Sequence, residues 1–105
     1  MWWYVYMVVT SVGKLYTGIC TNPKKRVYEH NHTKKGAKCL IGQRPIKLVW
    51  CSETMSKSQA LKIEYMIKQK SKVEKVHIVM GDCLISYEEF EELLWPGERE
   101  KDENL

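Results

Sequence analysis

Five polar side chains in this chain stand where a chemical role competes with a structural one. Tyr6 and Tyr16 fall in two β-prone segments on either side of a turn, so a hairpin would bring their rings close on one face. Two phenols so placed can pack a sheet or line a site. Arg26 and His30 are spaced i, i+4 and share a helix face, which by itself describes a solvated basic surface. Glu64 lies close to the apolar face of a later helix, between Ala60, Leu61 and Ile67. A carboxylate there is costly to bury unless a positive charge sits against it. Lys68, one turn on, could be that charge; the alternative is a carboxylate that holds a hard divalent cation. Singly each residue has an ordinary use, but in order they read Tyr…Tyr-x-Gly…Arg-x-x-x-His…Glu.

The elements that must position these groups can be read locally. Residues 3–9 are rich in β-formers, Thr10-Ser11-Val12-Gly13 supplies a turn with Gly13 free to take positive φ, and residues 14–20 return as a second strand. Asn22 as N-cap and Pro23 at the first helical position start a short helix to about Asn31, with Val27 as its apolar anchor and Tyr28 helping. Residues 32–45 are polar and basic around Gly36 and Gly42, which predicts a loop. Residues 46–51 predict a third strand. Ser56 caps a long helix over 57–70 whose core face is Ala60, Ile63 and Ile67. A further helix runs through Val73, Val76 and Val79 to Gly81, and Ser86-Tyr-Glu-Glu89 is a capping box for a last helix over 87–95. The order β-β-α-β-α-α plus a C-terminal helix predicts a small α+β domain with a three-stranded antiparallel sheet flanked by helices.

The whole chain is 105 residues, room for one domain. Its composition, 44% hydrophobic and 29% charged, excludes a collagenous, low-complexity or fully disordered protein. No apolar run is long enough to span a bilayer, and the Met1-Trp2-Trp3-Tyr4 start lacks a basic n-region, so intracellular residence, cytoplasmic or nuclear, is the expectation. Cys20, Cys39, Cys51 and Cys83 include no close pair of the kind structural zinc sites use; reduced, mostly buried thiols are expected. Charge is divided. Residues 1–80 carry 15 Lys/Arg against 4 Asp/Glu, and residues 81–105 carry 2 against 9, so +11 and −7 make the net +4. Basic clusters at Lys24-Lys25-Arg26, at Lys34-Lys35 with Lys38, and at Lys68, Lys70, Lys72 and Lys75 point to a polyanion.

With these residues in hand, the sequence resembles the GIY-YIG nuclease family, and looks closest to its small stand-alone members, similar to the catalytic domain of nucleases that cut branched DNA. Tyr4-Val5-Tyr6 stands for the Gly-Ile-Tyr motif and Tyr16-Thr17-Gly18 for Tyr-Ile-Gly. Arg26 matches the arginine of the first helix, His30 a position held by histidine or tyrosine, and the helix around Glu64 the one with the metal-binding glutamate. Tyr4 and Thr17 depart from the motifs. Ile19 stands where some members carry a catalytic lysine, whose part His30 or another group would take.

The resemblance implies a nuclease-like domain over 1–80, followed by a helical extension over 81–97 and an acidic, disordered tail over 98–105. It implies a divalent-metal-dependent DNA endonuclease, structure-specific for branched, flap or damaged DNA, with one Mg²⁺ or Mn²⁺ held weakly by Glu64 until DNA completes the shell. Tyr6 would take the proton of the attacking water, aided by Tyr16. Arg26 would clamp the phosphate and lower the phenol's pKa, and His30 would relay a proton or contact the phosphate. Gly18 would let backbone approach the site. Lys24, Lys25, Lys34, Lys35 and Lys38 would contact the DNA backbone. The alternative is a catalytically weak nucleic-acid-binding module of the same fold. A second copy of the chain, or a protein partner engaging the C-terminal region, is a further expectation, as is a tail that competes with DNA for the basic body.

Overall fold

The structure, a computed structural model, describes residues 1–96; the acidic tail expected over 98–105 lies outside the described residues. The chain folds as α+β around a three-stranded antiparallel sheet. β1 (Tyr4–Val9) and β2 (Leu15–Cys20) form the expected hairpin, with Gly13 at φ 81° in the turn. β3 (Lys47–Cys51) pairs antiparallel on the other side of β1, giving the strand order β2-β1-β3. The β1–β3 register shifts between Met7 and Val8: Met7 opposes Trp50 and Val8 opposes Leu48. Val49 is the additional residue, a bulge that sets Val49 and Trp50 toward the same side.

As the central strand, β1 is covered on both faces, and its alternation divides the molecule. Val5, Met7 and Val9 point into the larger core, where they meet Val49, Ala60, Ile67, Val79, Phe90 and Leu94. Tyr6 and Val8 point into a second cluster with Cys20, Leu40 and Ile46. Helices α3 (Lys57–Lys68), α4 (Lys72–Gly81) and α5 (Tyr87–Leu94) supply the first cluster. α3 buries Ala60 and Ile67, with Ile63 partly covered, the face its apolar spacing predicts. α5, expected as an extension beyond residue 80, places Phe90 and Leu94 in this same core.

α1 (Pro23–His32) starts as its sequence dictates, with the Asn22 side chain accepting from the Lys25 N–H at 3.2 Å and Pro23 following. Three local readings change. The segment expected as loop contains a short helix, α2 (Lys38–Ile41), because Leu40 finds a buried place against the second cluster. Ser86 does cap α5, but its box is half made: the Glu89 carboxylate goes to Lys47 of β3 instead of the Ser86 backbone. The full reciprocal box forms at Ser71 and Glu74, at the start of α4. The cysteines are free thiols, but only Cys20 is buried; Cys39 is exposed and Cys51 and Cys83 are partly covered.

Candidate active site

Even-numbered side chains of the hairpin build one wall. Tyr6 and Gly18 are register partners across the β1–β2 ladder, and Tyr16 stands one pleat further on the same side. The Tyr6 and Tyr16 rings lie 6.5 Å apart, tilted by 47°, so the expected proximity is present. Gly18 is needed by contact: a Cβ there would lie 2.6 Å from the Tyr6 hydroxyl oxygen. Any side chain at that position would displace the phenol.

The opposite wall is α1, which turns His30 fully inward. The imidazole is 0% exposed, so the solvated basic face expected of Arg26 and His30 does not describe this helix. His30 Nε2 lies 2.8 Å from the Tyr6 hydroxyl, and Nδ1 accepts from the Ala37 backbone N–H at 3.2 Å. Burial, followed by the nearby Arg26 charge, pushes the His30 pKa down to about 4. A neutral imidazole whose Nδ1 is an acceptor carries its proton on Nε2. His30 is therefore a hydrogen-bond donor to Tyr6.

Sequence reasoning missed the loop that holds this histidine. At Gly36 a Cβ would come 2.8 Å from His30 Cα and 3.2 Å from Nδ1, so only glycine lets the loop close over the ring and deliver the Ala37 N–H. Arg44 binds the other end of the turn, donating from Nε to the His30 carbonyl at 2.5 Å and from its terminal nitrogen to the Thr33 carbonyl. Asn31 pairs with both backbone groups of Ile46, at 2.7 and 3.1 Å, and staples α1 to the start of β3. Gly36 was a readable signal as a glycine within a basic run; Arg44 and Asn31 had none.

Arg26 is partly covered, donating from Nη1 to the Lys35 carbonyl at 3.0 Å and facing the Glu29 carboxylate at 3.4 Å. Burial raises the Tyr6 pKa well above the ordinary tyrosine range, and Tyr16 adds to this, while the Arg26 guanidinium beside the phenol pulls it back. Tyr16 is raised too, by burial and then by Cys39, with Arg26 opposing and Glu64 contributing. Glu64 thus reaches the same site from α3, across the β2 edge. Its side chain is 19% exposed and faces Lys68 at 3.5 Å, and Lys68 Nζ stands 5.9 Å from the Tyr16 ring centroid. The structure therefore brings Tyr6, Tyr16, Arg26 and His30 together, while Glu64 stands on α3 near Tyr16, paired with the Lys68 that faces the Tyr16 ring.

Other expectations shift. Ile19 packs with the larger core on the opposite sheet face, so a side chain there points away from Tyr6. Lys24, Lys25, Lys34, Lys35 and Lys38 are all exposed, and none forms an ion pair among the described residues. Lys72, read as part of a basic cluster, instead donates to the Leu94 carbonyl at 3.1 Å and lies 4.1 Å from the Trp95 ring centroid, closing the end of α5.

Residues 2–76 match the GIY-YIG catalytic domain, a span that contains all five site residues. The chain belongs to the GIY-YIG family. Its relatives include a UPF0213 protein of Aeromonas hydrophila, 42% identical over 77 residues, or 73% of this chain and 56% of that protein. A UPF0213 protein of Photorhabdus laumondii is 40% identical over 87 residues, 81% of this chain and 83% of that one. The chain thus spans about half the length of the Aeromonas relatives it matches. Among solved structures, the UPF0213 protein of Bacillus halodurans is 32% identical, covers 90% of this chain and 99% of its own, and superposes with a TM-score of 0.53. The domain is of nuclease type. No helix among the described residues is long and apolar enough to cross a membrane.

GIY-YIG nucleases generally use a divalent metal. Among the described residues no three His, Cys, Asp or Glu side chains gather as a ligand set. The donor chemistry still fits a hard cation of the Mg²⁺ kind, which keeps several waters and takes one or two carboxylates together with substrate phosphate oxygens. Glu64, 19% exposed and paired with Lys68, would supply one such carboxylate.

Proposed function

We propose that this protein is a divalent-metal-dependent DNA endonuclease that hydrolyses phosphodiester bonds at branched, flapped or damaged positions. The observation that carries the reading is the Tyr6–His30 bond of 2.8 Å with the imidazole held at its other nitrogen by the Ala37 N–H. A phenol that only packs a sheet does not need a tautomer-locked donor. The Nε2–H of His30 and the Arg26 charge both stabilise the phenolate form of Tyr6 against burial. In that form Tyr6 accepts the proton of the attacking water. His30 itself, neutral and donating its Nε2–H, orients Tyr6 and carries no positive charge in the resting state.

Arg26 grips phosphate oxygens with its planar fork while holding down the phenol's pKa. Tyr16, partly exposed, lines the mouth, and Glu64 would hold Mg²⁺ or Mn²⁺. The cation's chemistry there is to neutralise charge on the scissile phosphate and the leaving oxygen. The five unpaired lysines bind phosphates, which fix position without reading bases; this favours recognition of DNA shape over sequence. One specific observation favours a second reading, a catalytically weak binding module: Tyr6 is only 1% exposed, which keeps its phenolate scarce.

The test is cleavage of labelled duplex, flap and four-way-junction DNA with Mg²⁺ or Mn²⁺, by wild type and Glu64→Ala in parallel. Cutting that is lost in Glu64→Ala supports the nuclease. Equal binding by both without cutting establishes the binding module, and equal cutting by both removes Glu64 from the site.

A further inference from the structure

The face of α1 turned away from Tyr6 carries features that the proposed chemistry does not use. Arg26 and His30 point inward. Lys24, Tyr28 and His32 recur every four residues at about 200° from them, given roughly 100° per residue, and so form a separate stripe. Tyr28 was expected to help anchor the helix, but it belongs to neither core cluster and is 61% exposed. Its ring lies 4.6 Å from that of His32, tilted by 38°. Lys24 and Lys25 on the same helix are exposed, as are Lys34 and Lys35 in the segment that follows it. The one acidic residue before Glu53 is Glu29, which is drawn under the helix to Arg26. The outer face thus combines an open aromatic surface with unopposed positive charge.

Charge alone would suit any stretch of duplex, whose base faces are covered by stacking. An exposed ring among lysines matches a ligand with both phosphates and an uncovered base, which a single strand has. Resting on the nucleic-acid reading above, we propose that the outer face of α1 is a stacking site for an unpaired nucleobase, with Tyr28 against the base, His32 backing Tyr28, and Lys24 and Lys25 on the flanking phosphates. A helix is about 10 Å across with its side chains, about three nucleotide steps of 3.4 Å. The substrate class is therefore DNA in which an unpaired segment begins within a few nucleotides of the phosphate at Tyr6.

The test measures binding without cutting. Fluorescence anisotropy in chelator compares a labelled oligo(dT) of about a dozen nucleotides with a blunt duplex of the same length across a salt series. Tyr28→Ala should weaken oligo(dT) binding roughly 5- to 100-fold, and the oligo(dT)-to-duplex affinity ratio should fall at least about fivefold. Tyr28→Leu, which keeps apolar bulk and helix propensity, should behave like Tyr28→Ala, whereas Tyr28→Phe should keep wild-type affinity within about twofold, because stacking uses the ring and not the hydroxyl. The salt slope should not change in the Tyr28 variants and should drop by about one for each lysine removed. An unchanged ratio in Tyr28→Ala and Tyr28→Leu overturns the proposal, as does equal weakening in Tyr28→Phe. Glu64-dependent cutting with an unchanged ratio would leave the nuclease and remove the stacking site; a changed ratio with no cutting would do the reverse.

Discussion

The two faces of β1 make the most instructive contrast in this molecule. Toward α3, α4 and α5 the strand presents Val5, Met7 and Val9 to a core of aliphatic and phenylalanine side chains. Toward α1 and α2 it presents Tyr4, Tyr6 and Val8, and Tyr6 there meets Tyr16, His30 and Gly18. Both faces exclude water from β1, yet one excludes it to gain stability and the other to tune polar groups. Alternation along a single strand makes this division, since neighbouring residues point to opposite sides. A slip of one residue would put Met7 against His30 and Tyr6 into the aliphatic core. A pleated central strand therefore keeps the demands of chemistry and of packing on separate side chains.

The contrast can be broken from either side. The largest effect is expected from Tyr6→Phe, which should slow single-turnover cleavage about 10³-fold, or about 4 kcal/mol of barrier. Urea unfolding of the same variant should show a loss of only about 1 kcal/mol, from the unpaired His30 N–H. A stability loss as large as the activity loss would place Tyr6 in the core's accounting instead. Met7→Ala, one residue along, should do the reverse. It should cost about 3 kcal/mol of stability while cleavage per folded molecule stays within about tenfold.

The pH dependence sharpens the picture of the polar face. His30 is depressed to about 4 in the folded chain, against about 6.5 when unfolded. Below the unfolded value the unfolded chain takes up the proton first, so stability should fall as pH drops from about 6.5 to about 4, by about 3 kcal/mol in all. At pH 7 and above this contribution is constant. Urea titrations at several pH values would show the slope, and His30→Gln should remove most of it. Cleavage should likewise show no histidine limb near pH 6–7 and should rise with pH as Tyr6 loses its proton; a plateau above pH 7 would name a different base. The smallest effect belongs to the apolar face. Thr17 faces Met7 across the ladder, 2% exposed, and its hydroxyl has no hydrogen-bond partner. Thr17→Val should raise stability by about 1 kcal/mol in thermal or urea melts, and no gain would mean the hydroxyl is satisfied in solution.

Several parts of this arrangement were legible one residue at a time. The hairpin, the Asn22–Pro23 start of α1 and the Ala60–Ile63–Ile67 face of α3 follow from propensity, capping and period, which are local. The five site residues were legible as an ordered pattern. The burial of His30 was not, because a histidine four residues from an arginine has the same sequence appearance on a wet face as under a loop. The exposure of Tyr28 was misread for the same reason, a short helix with few apolar residues giving no clear inward direction. Glu89 left its capping box because Lys47, 42 residues away, was the better partner, and Lys72 left the basic surface for the carbonyl end of α5.

The amino-acid order by itself determined which segments become strands and helices, and which chemical groups are available: two phenols, a guanidinium, an imidazole, a carboxylate and a field of lysines. These depend on torsional preference and charge, properties each residue carries into any fold. The tertiary structure alone decided that His30 donates to Tyr6, that Gly36 and Ala37 lock its tautomer, and that Glu64 reaches Tyr16 across the β2 edge. Hydrogen-bond direction and pKa depend on burial and on neighbours brought together from distant parts of the chain, and those exist only once the sheet has both faces covered.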